Sequence, residues 1–88
     1  MRVTFRESFT KDLSFIRDQA LLKRIRQIIE HLENSKSPSE IHGIKKLQGS
    51  KTAYRIRSGD YRMGMFIEEG CIEVTRFLHR KEIYRRFP

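Results

Sequence analysis

The sequence predicts an α+β domain in the order β-α-α-β-β-β, an antiparallel meander packed on a helical hairpin, with a weakly signalled short helix at the C-terminus. Three observations carry this. Apolar and polar residues alternate with period two near the N-terminus and again after Thr52. Between those stretches the apolar residues recur at helical spacing. Two turn signals, Ser58-Gly59-Asp60 and Glu68-Glu69-Gly70, cut the second alternating stretch into three.

The opening MRVTFRESF sets Val3 and Phe5 against Arg2, Thr4 and Arg6, which suggests a short strand. Ser8 offers an N-cap oxygen for a helix starting at Phe9, with Phe9, Leu13 and Ile16 on one side. A second helix is expected from about Gln19 to Asn34. Leu21, Leu22, Ile25, Ile28, Ile29 and Leu32 form its apolar stripe, and Lys23, Arg24, Arg26, Gln27 and Glu30 cover the other side. The two helices join near Arg17–Ala20. Pro38 cannot continue the helix, so NSKSPSE (34–40) begins a loop.

The meander strands are expected at about 52–58, 61–68 and 71–78, and the last helix at about 80–86. Parity sorts their faces. Tyr54, Ile56, Tyr61, Met63, Met65, Ile67, Ile72, Val74 and Leu78 point to the core. Arg55, Arg57, Arg62, Gly64, Phe66, Glu73, Thr75, Phe77 and His79 point away, so the outer face should carry Arg55, Arg57, Arg62 and His79 together. Arg76 has inward parity, which a bulge or a place at the sheet end would resolve.

With 88 residues the chain is expected to be one domain, 1–88, with a modest core. Its one cysteine, Cys71, permits no internal disulfide and no CxxC metal framework, which suits a reducing cytoplasm. The charged opening does not resemble a signal peptide, and no stretch is long enough to span a bilayer, so a soluble protein without a membrane partner is expected. The net charge of +8 draws polyanions. A merely solvated basic surface, or an acidic protein partner, fits that charge as well. No Walker loop, zinc spacing or Ser/His/Asp arrangement is visible, and Glu68, Glu69 and Glu73 do not suggest a metal cluster. No metal and no cofactor are therefore expected.

The segments YRIRSGDYR (54–62) and RFLHRKEIY (76–84), with Ser-Phe-x-Lys-Asp-Leu at 8–13 and Lys-Lys-Leu at 45–47, resemble the RelE/ParE superfamily of bacterial type II toxin–antitoxin toxins. The resemblance covers nearly the whole chain and implies a RelE-like fold. For the RelE-like branch it implies a metal-independent endoribonuclease, an mRNA interferase. Such a toxin cuts mRNA in the ribosomal A site by 2′-hydroxyl attack, leaving a 2′,3′-cyclic phosphate and a 5′-hydroxyl. The ParE-like branch implies a DNA gyrase inhibitor instead. Both imply a cognate antitoxin that occludes the basic face in a hetero-oligomer. A basic RNA-binding module without enzymatic activity is the third reading.

In-line cleavage of RNA needs a proton removed from the 2′-hydroxyl, one given to the 5′-oxygen, and charge stabilised on the phosphorane. Arginine suits the last task. The resemblance places a phosphate-binding arginine at Arg62 and basic RNA contacts at Arg55 and Arg57; each is alternatively a solvated surface charge. Some relatives carry a lysine where this chain has Ala53, and Lys51 is a candidate substitute. His79 is a candidate acid or base, or else structural. Arg80 is a candidate phosphate ligand, because Leu78 stands where some relatives have an arginine. Tyr84 is expected to stack on a base or assist proton transfer, or else to pack the last helix on the sheet. Lys45, Lys46 and Lys51 read as a basic loop that positions phosphates, with Arg85 and Arg86 at the other end. Glu73 pairs with an arginine or serves as an auxiliary base. His31 and His42 read as surface residues outside the chemistry.

Overall fold

The computed structural model describes all 88 residues. Five strands form one sheet in the order β1-β5-β4-β3-β2: β1 (Arg2–Phe5), β2 (Ile44–Lys46), β3 (Ala53–Ser58), β4 (Tyr61–Glu68) and β5 (Cys71–His79). Helices α1 (Glu7–Leu13) and α2 (Gln19–Asn34) follow β1, and α3 (Arg80–Arg86) follows β5. The meander β3-β4-β5 lies where the alternation and the glycine turns put it. Two additions make the sheet mixed and wider. β1 pairs parallel to β5, which the long helical crossover permits, and β2 pairs antiparallel to β3. Lys45 and Lys46 therefore stand on a strand, not in a loop.

Helix α2 begins as its sequence requires, with the Asp18 carboxylate accepting from the Ala20 and Leu21 amides at 2.9 and 3.2 Å. Helix α1 does not. It starts at Glu7 with Arg6 as an N-cap lacking a side-chain bond, because the Ser8 hydroxyl donates to the Thr75 carbonyl at 2.6 Å. The cause is the length of β1. Its pairing ends at Phe5 and Val74, which leaves the edge of β5 open from Thr75 onward. Helix α1 covers that edge. The Asp12 carboxylate accepts from the Phe77 amide at 2.9 Å and takes Nε and Nη2 of Arg76 at 2.9 Å each.

A bulge explains Arg76. Gly64 faces Arg76 while Met65 faces Val74, so Thr75 is an extra residue in β5. Every later side chain of β5 changes face. Phe77 is buried in the main core, Leu78 packs on the opposite side, and His79 turns toward Tyr61. The expected outward placement of Phe77 and His79 is thus corrected.

The main core lies between the helical hairpin and one sheet face. Phe9, Ile25, Leu32, Met63, Val74 and Phe77 are among its eleven buried members, each stabilising the fold by about 1.5–3 kcal/mol for the larger side chains. A second, smaller cluster lies on the other face. Ala53, Ile83 and Phe87 are its buried centre, with Leu47, Phe66 and Leu78 around them. Gly64 makes it possible: a Cβ there would lie 2.7 Å from Cδ2 of the Phe87 ring. The seven-residue α3 is too short to be stable alone, so its place rests on this docking. The outer face is consequently half covered, and only the part nearer β2 stays open.

Candidate nucleic-acid interface

The open part of the outer face is cationic. Arg57 on β3 stands directly opposite Arg62 on β4, and Lys45 on β2 stands opposite Arg55. Gly43, Lys45, Arg55, Arg57 and Arg62 line a depression of about 260 Å³. A neighbouring one of about 680 Å³ is lined by Lys45, Lys46, Leu47, Gln48, Gly49, Ser50, Arg55 and Tyr84. Lys45 and Arg55 belong to both, so the two form one trough. No carboxylate lines it.

Arg62 is held rigidly. Its Nη1 donates to the Gly59 and Tyr61 carbonyls at 2.9 Å each, and the residue is only 9% exposed. Its Nε and Nη2 make no hydrogen bond within the chain, so this edge of the guanidinium keeps donors for an oxyanion. Arg57 makes no ion pair and is exposed.

Tyr84 reaches the trough from α3. Its ring lies 5.0 Å from the guanidinium carbon of Arg55, a cation–π contact that orients both side chains. The residue is 65% exposed, which leaves ring surface for a stacked base. The far wall is the β2–β3 loop. The Ser50 hydroxyl accepts from the Ala53 and Thr52 amides at 3.0 and 3.3 Å, and Gly49 supplies the left-handed turn with φ of 81°.

The other candidates lie elsewhere. His79 is on the hairpin side of the sheet, its ring 5.6 Å from that of Tyr61, and its Nδ1 accepts from the Lys81 amide at 3.2 Å as the cap of α3. It does not share a face with Arg55, Arg57 and Arg62. Arg80 is half-exposed and reaches Asp60 at 3.9 Å. Arg85 and Arg86 pair with Glu82 on the solvent side of α3. Lys51 follows Ser50 but does not line the trough. Glu73 pairs with Arg6 at 2.9 Å. Sequence reasoning missed Gly43, Gln48 and Ser50; their only signal was the pair of glycines flanking a segment too short to show a period.

The fold and the trough define a small α+β protein with a rigid, carboxylate-free cationic groove and an aromatic wall. No helix is long and apolar enough to cross a membrane. The family model described as the ParE toxin of the type II toxin–antitoxin system parDE matches residues 3–84. Toxin RelE3 of Methanocaldococcus jannaschii is 43% identical over 89 residues, the whole of both chains. The RelE of the RelB–RelE antitoxin–toxin complex from Methanococcus jannaschii superposes with a TM-score of 0.81 at 41% identity, covering 97% of this chain and 99% of that one. The RelE–RelB complex from Pyrococcus horikoshii OT3 gives 0.73 at 26% identity, covering 90% and 93%.

The chain belongs to this family of type II toxin–antitoxin toxins, within the RelE/ParE superfamily. These relatives are archaeal, so the restriction to bacterial toxins in the sequence reading was too narrow.

Proposed function

We propose that this toxin is an endoribonuclease that cuts mRNA in the ribosomal A site without a metal, by attack of a 2′-hydroxyl on the adjacent phosphorus. The observation that carries this reading is the fixed guanidinium of Arg62, with an unused donor edge, inside a trough that Arg57 and Tyr84 also line. The new P–O2′ bond forms as the P–O5′ bond breaks, giving the cyclic phosphate and a 5′-hydroxyl. Arg62 and Arg57 bind the non-bridging oxygens as their charge grows. Tyr84 stacks on a base and holds the ribose in line with the leaving oxygen. Water takes the 2′-hydroxyl proton, since no carboxylate or histidine lines the trough, and the Tyr84 phenol or the Lys45 ammonium protonates the leaving oxygen. His79 acts through α3, as its cap, and not in proton transfer. Arg55 and Lys46 hold the flanking backbone, and Lys51, Arg80 and Arg85 meet ribosomal RNA phosphates.

The RelE relatives were solved with RelB, which supports a cognate antitoxin that covers this trough in a hetero-oligomer. A substrate on ribosomes places the toxin in the cytoplasm. The test is to map mRNA ends on ribosomes after expression. Cyclic phosphates at A-site codons are expected, and Arg62→Ala should lower the cleavage rate by about 10²–10³ while the protein still folds and binds its antitoxin. Undiminished cleavage by that variant would sink the assignment. One observation favours a second reading, gyrase inhibition: the matching family model is named for ParE. Double-strand DNA breaks with intact mRNA would select it. RNA binding with neither effect would leave a non-enzymatic module.

A further inference from the structure

A second polar pocket, of about 360 Å³, opens between α2 and the end of β3. Arg24, Gln27, His31, His42, Arg57 and Ser58 supply its polar groups, and no carboxylate lines it. β2 begins only at Ile44, opposite Ile56, so the outer edge of β3 is bare at Arg57 and Ser58. Arg57 therefore borders this pocket and the trough at once. Nη1 of Arg24 lies over the turn, 3.5 Å from where a Cβ on Gly59 would be, and makes no ion pair. His31 Nε2 accepts from the His42 amide at 3.2 Å, which ties the loop after the helix to α2 and fixes the pocket wall. Ser58, which lines the pocket, is 5% exposed, and its Oγ is the only buried side-chain polar atom of the molecule without a hydrogen-bond partner. A buried hydroxyl left unpaired is destabilising. It is intelligible where a ligand oxygen completes it.

We propose that this pocket is a subsite for a backbone phosphate of the RNA, carrying the strand from the trough, past Arg57, round the sheet edge to Arg24. The inference rests on the ribonuclease reading and extends it. A strand of nucleic acid fits better than an isolated anion because the three depressions adjoin, sharing Lys45 and Arg55 and then Arg57. Proteins that hold single strands use such continuous cationic grooves. An acidic protein segment is the competing occupant.

The test is fluorescence anisotropy with a labelled single-stranded RNA of roughly ten nucleotides, titrated over a range of salt. Arg24→Gln is compared with Lys23→Gln, which removes the same charge one residue away and outside the pocket. Arg24→Gln should weaken binding about tenfold and reduce the salt slope by about 0.7, while Lys23→Gln changes little. Ser58→Ala should weaken RNA binding too, yet leave the melting temperature equal or higher, a split that a purely structural serine does not give. If Arg24→Gln matches Lys23→Gln or the wild type, the subsite is refuted while the trough stands. If Arg24→Gln impairs capture of the antitoxin and spares RNA, the pocket belongs to the protein partner. Wild-type protein that binds no RNA removes the subsite, while the mRNA ends mapped on ribosomes decide the ribonuclease reading on their own.

Discussion

Replacing Gly64 by alanine adds one carbon to the middle of β4, and the structure says where the strain goes. The new Cβ would lie 2.7, 2.8 and 3.0 Å from three ring carbons of Phe87, against ordinary contacts of about 3.5–4.0 Å. β4 is the central strand, paired on both sides, so the ring moves and not the sheet. Overpacking of this kind costs about 1–3 kcal/mol. Most of that falls on α3, which carries Tyr84 and is docked through Ile83 and Phe87. Hydrogen exchange should show lost protection at the Ile83–Phe87 amides with the meander unaffected, and cleavage should fall although Arg55, Arg57 and Arg62 are untouched. The double-mutant cycle sharpens this. In a Phe87→Ala background the clash is gone, and Gly64→Ala should become neutral or stabilise by about 0.5–1 kcal/mol, because alanine suits a strand better than glycine. Additive costs in the cycle, or unchanged exchange in α3, would refute the slot argument.

Asp12→Ala should destabilise the protein by about 3–5 kcal/mol in urea unfolding, since it leaves the Arg76 guanidinium uncompensated and the Phe77 amide unpaired; a loss under about 1 kcal/mol contradicts it. Tyr84→Ala should lower RNA affinity by about 1–3 kcal/mol while Tyr84→Phe keeps it, as anisotropy would read; equal losses point away from stacking. His79→Ala should cost about 1 kcal/mol in thermal stability as a lost cap, with cleavage on ribosomes reduced only modestly. A hundredfold loss of rate with α3 still protected from exchange would return His79 to the chemistry.

The sequence made α2 and the meander legible for simple reasons. Helix α2 has sixteen residues and a wide apolar stripe, and the meander has glycines at both turns. What it concealed was decided at a distance. The Ser8 hydroxyl has two uses, and the bare edge of β5 determined which one prevailed. β2 has three residues and no period to read. The bulge at Thr75 was signalled only by Arg76, yet one extra residue sends every later side chain to the other face. That single insertion moved His79 away from the arginines. The arginines themselves were legible, because β3 and β4 keep strict alternation up to the turn. The cover over half of their face was not, although a glycine inside a central strand is a known mark of close approach. Gly64 was the clue, and its partner lies twenty-three residues further on.

The ion pairs of this chain matter less for stability than for where they leave the charge. Exposed pairs such as Arg6–Glu73, Arg80–Asp60 and Arg85–Glu82 contribute little. They do engage carboxylates on the margins of the outer face and on α3. The cations of the trough are left with one another: Lys45 faces Arg55, and Arg57 faces Arg62. Like charges across a ladder are destabilising, and no counter-charge lines the groove to relieve them. A sequence under selection for stability alone would alternate signs here. Arg62 is tolerated because two carbonyls take its Nη1, a fixed geometry that neutral dipoles maintain without cancelling the charge. Water and salt screen the exposed members of this set, and a polyanion would relieve the repulsion further. If the ribonuclease reading holds, the field that draws an RNA backbone would also draw any acidic antitoxin segment, and the two would compete for one set of charges.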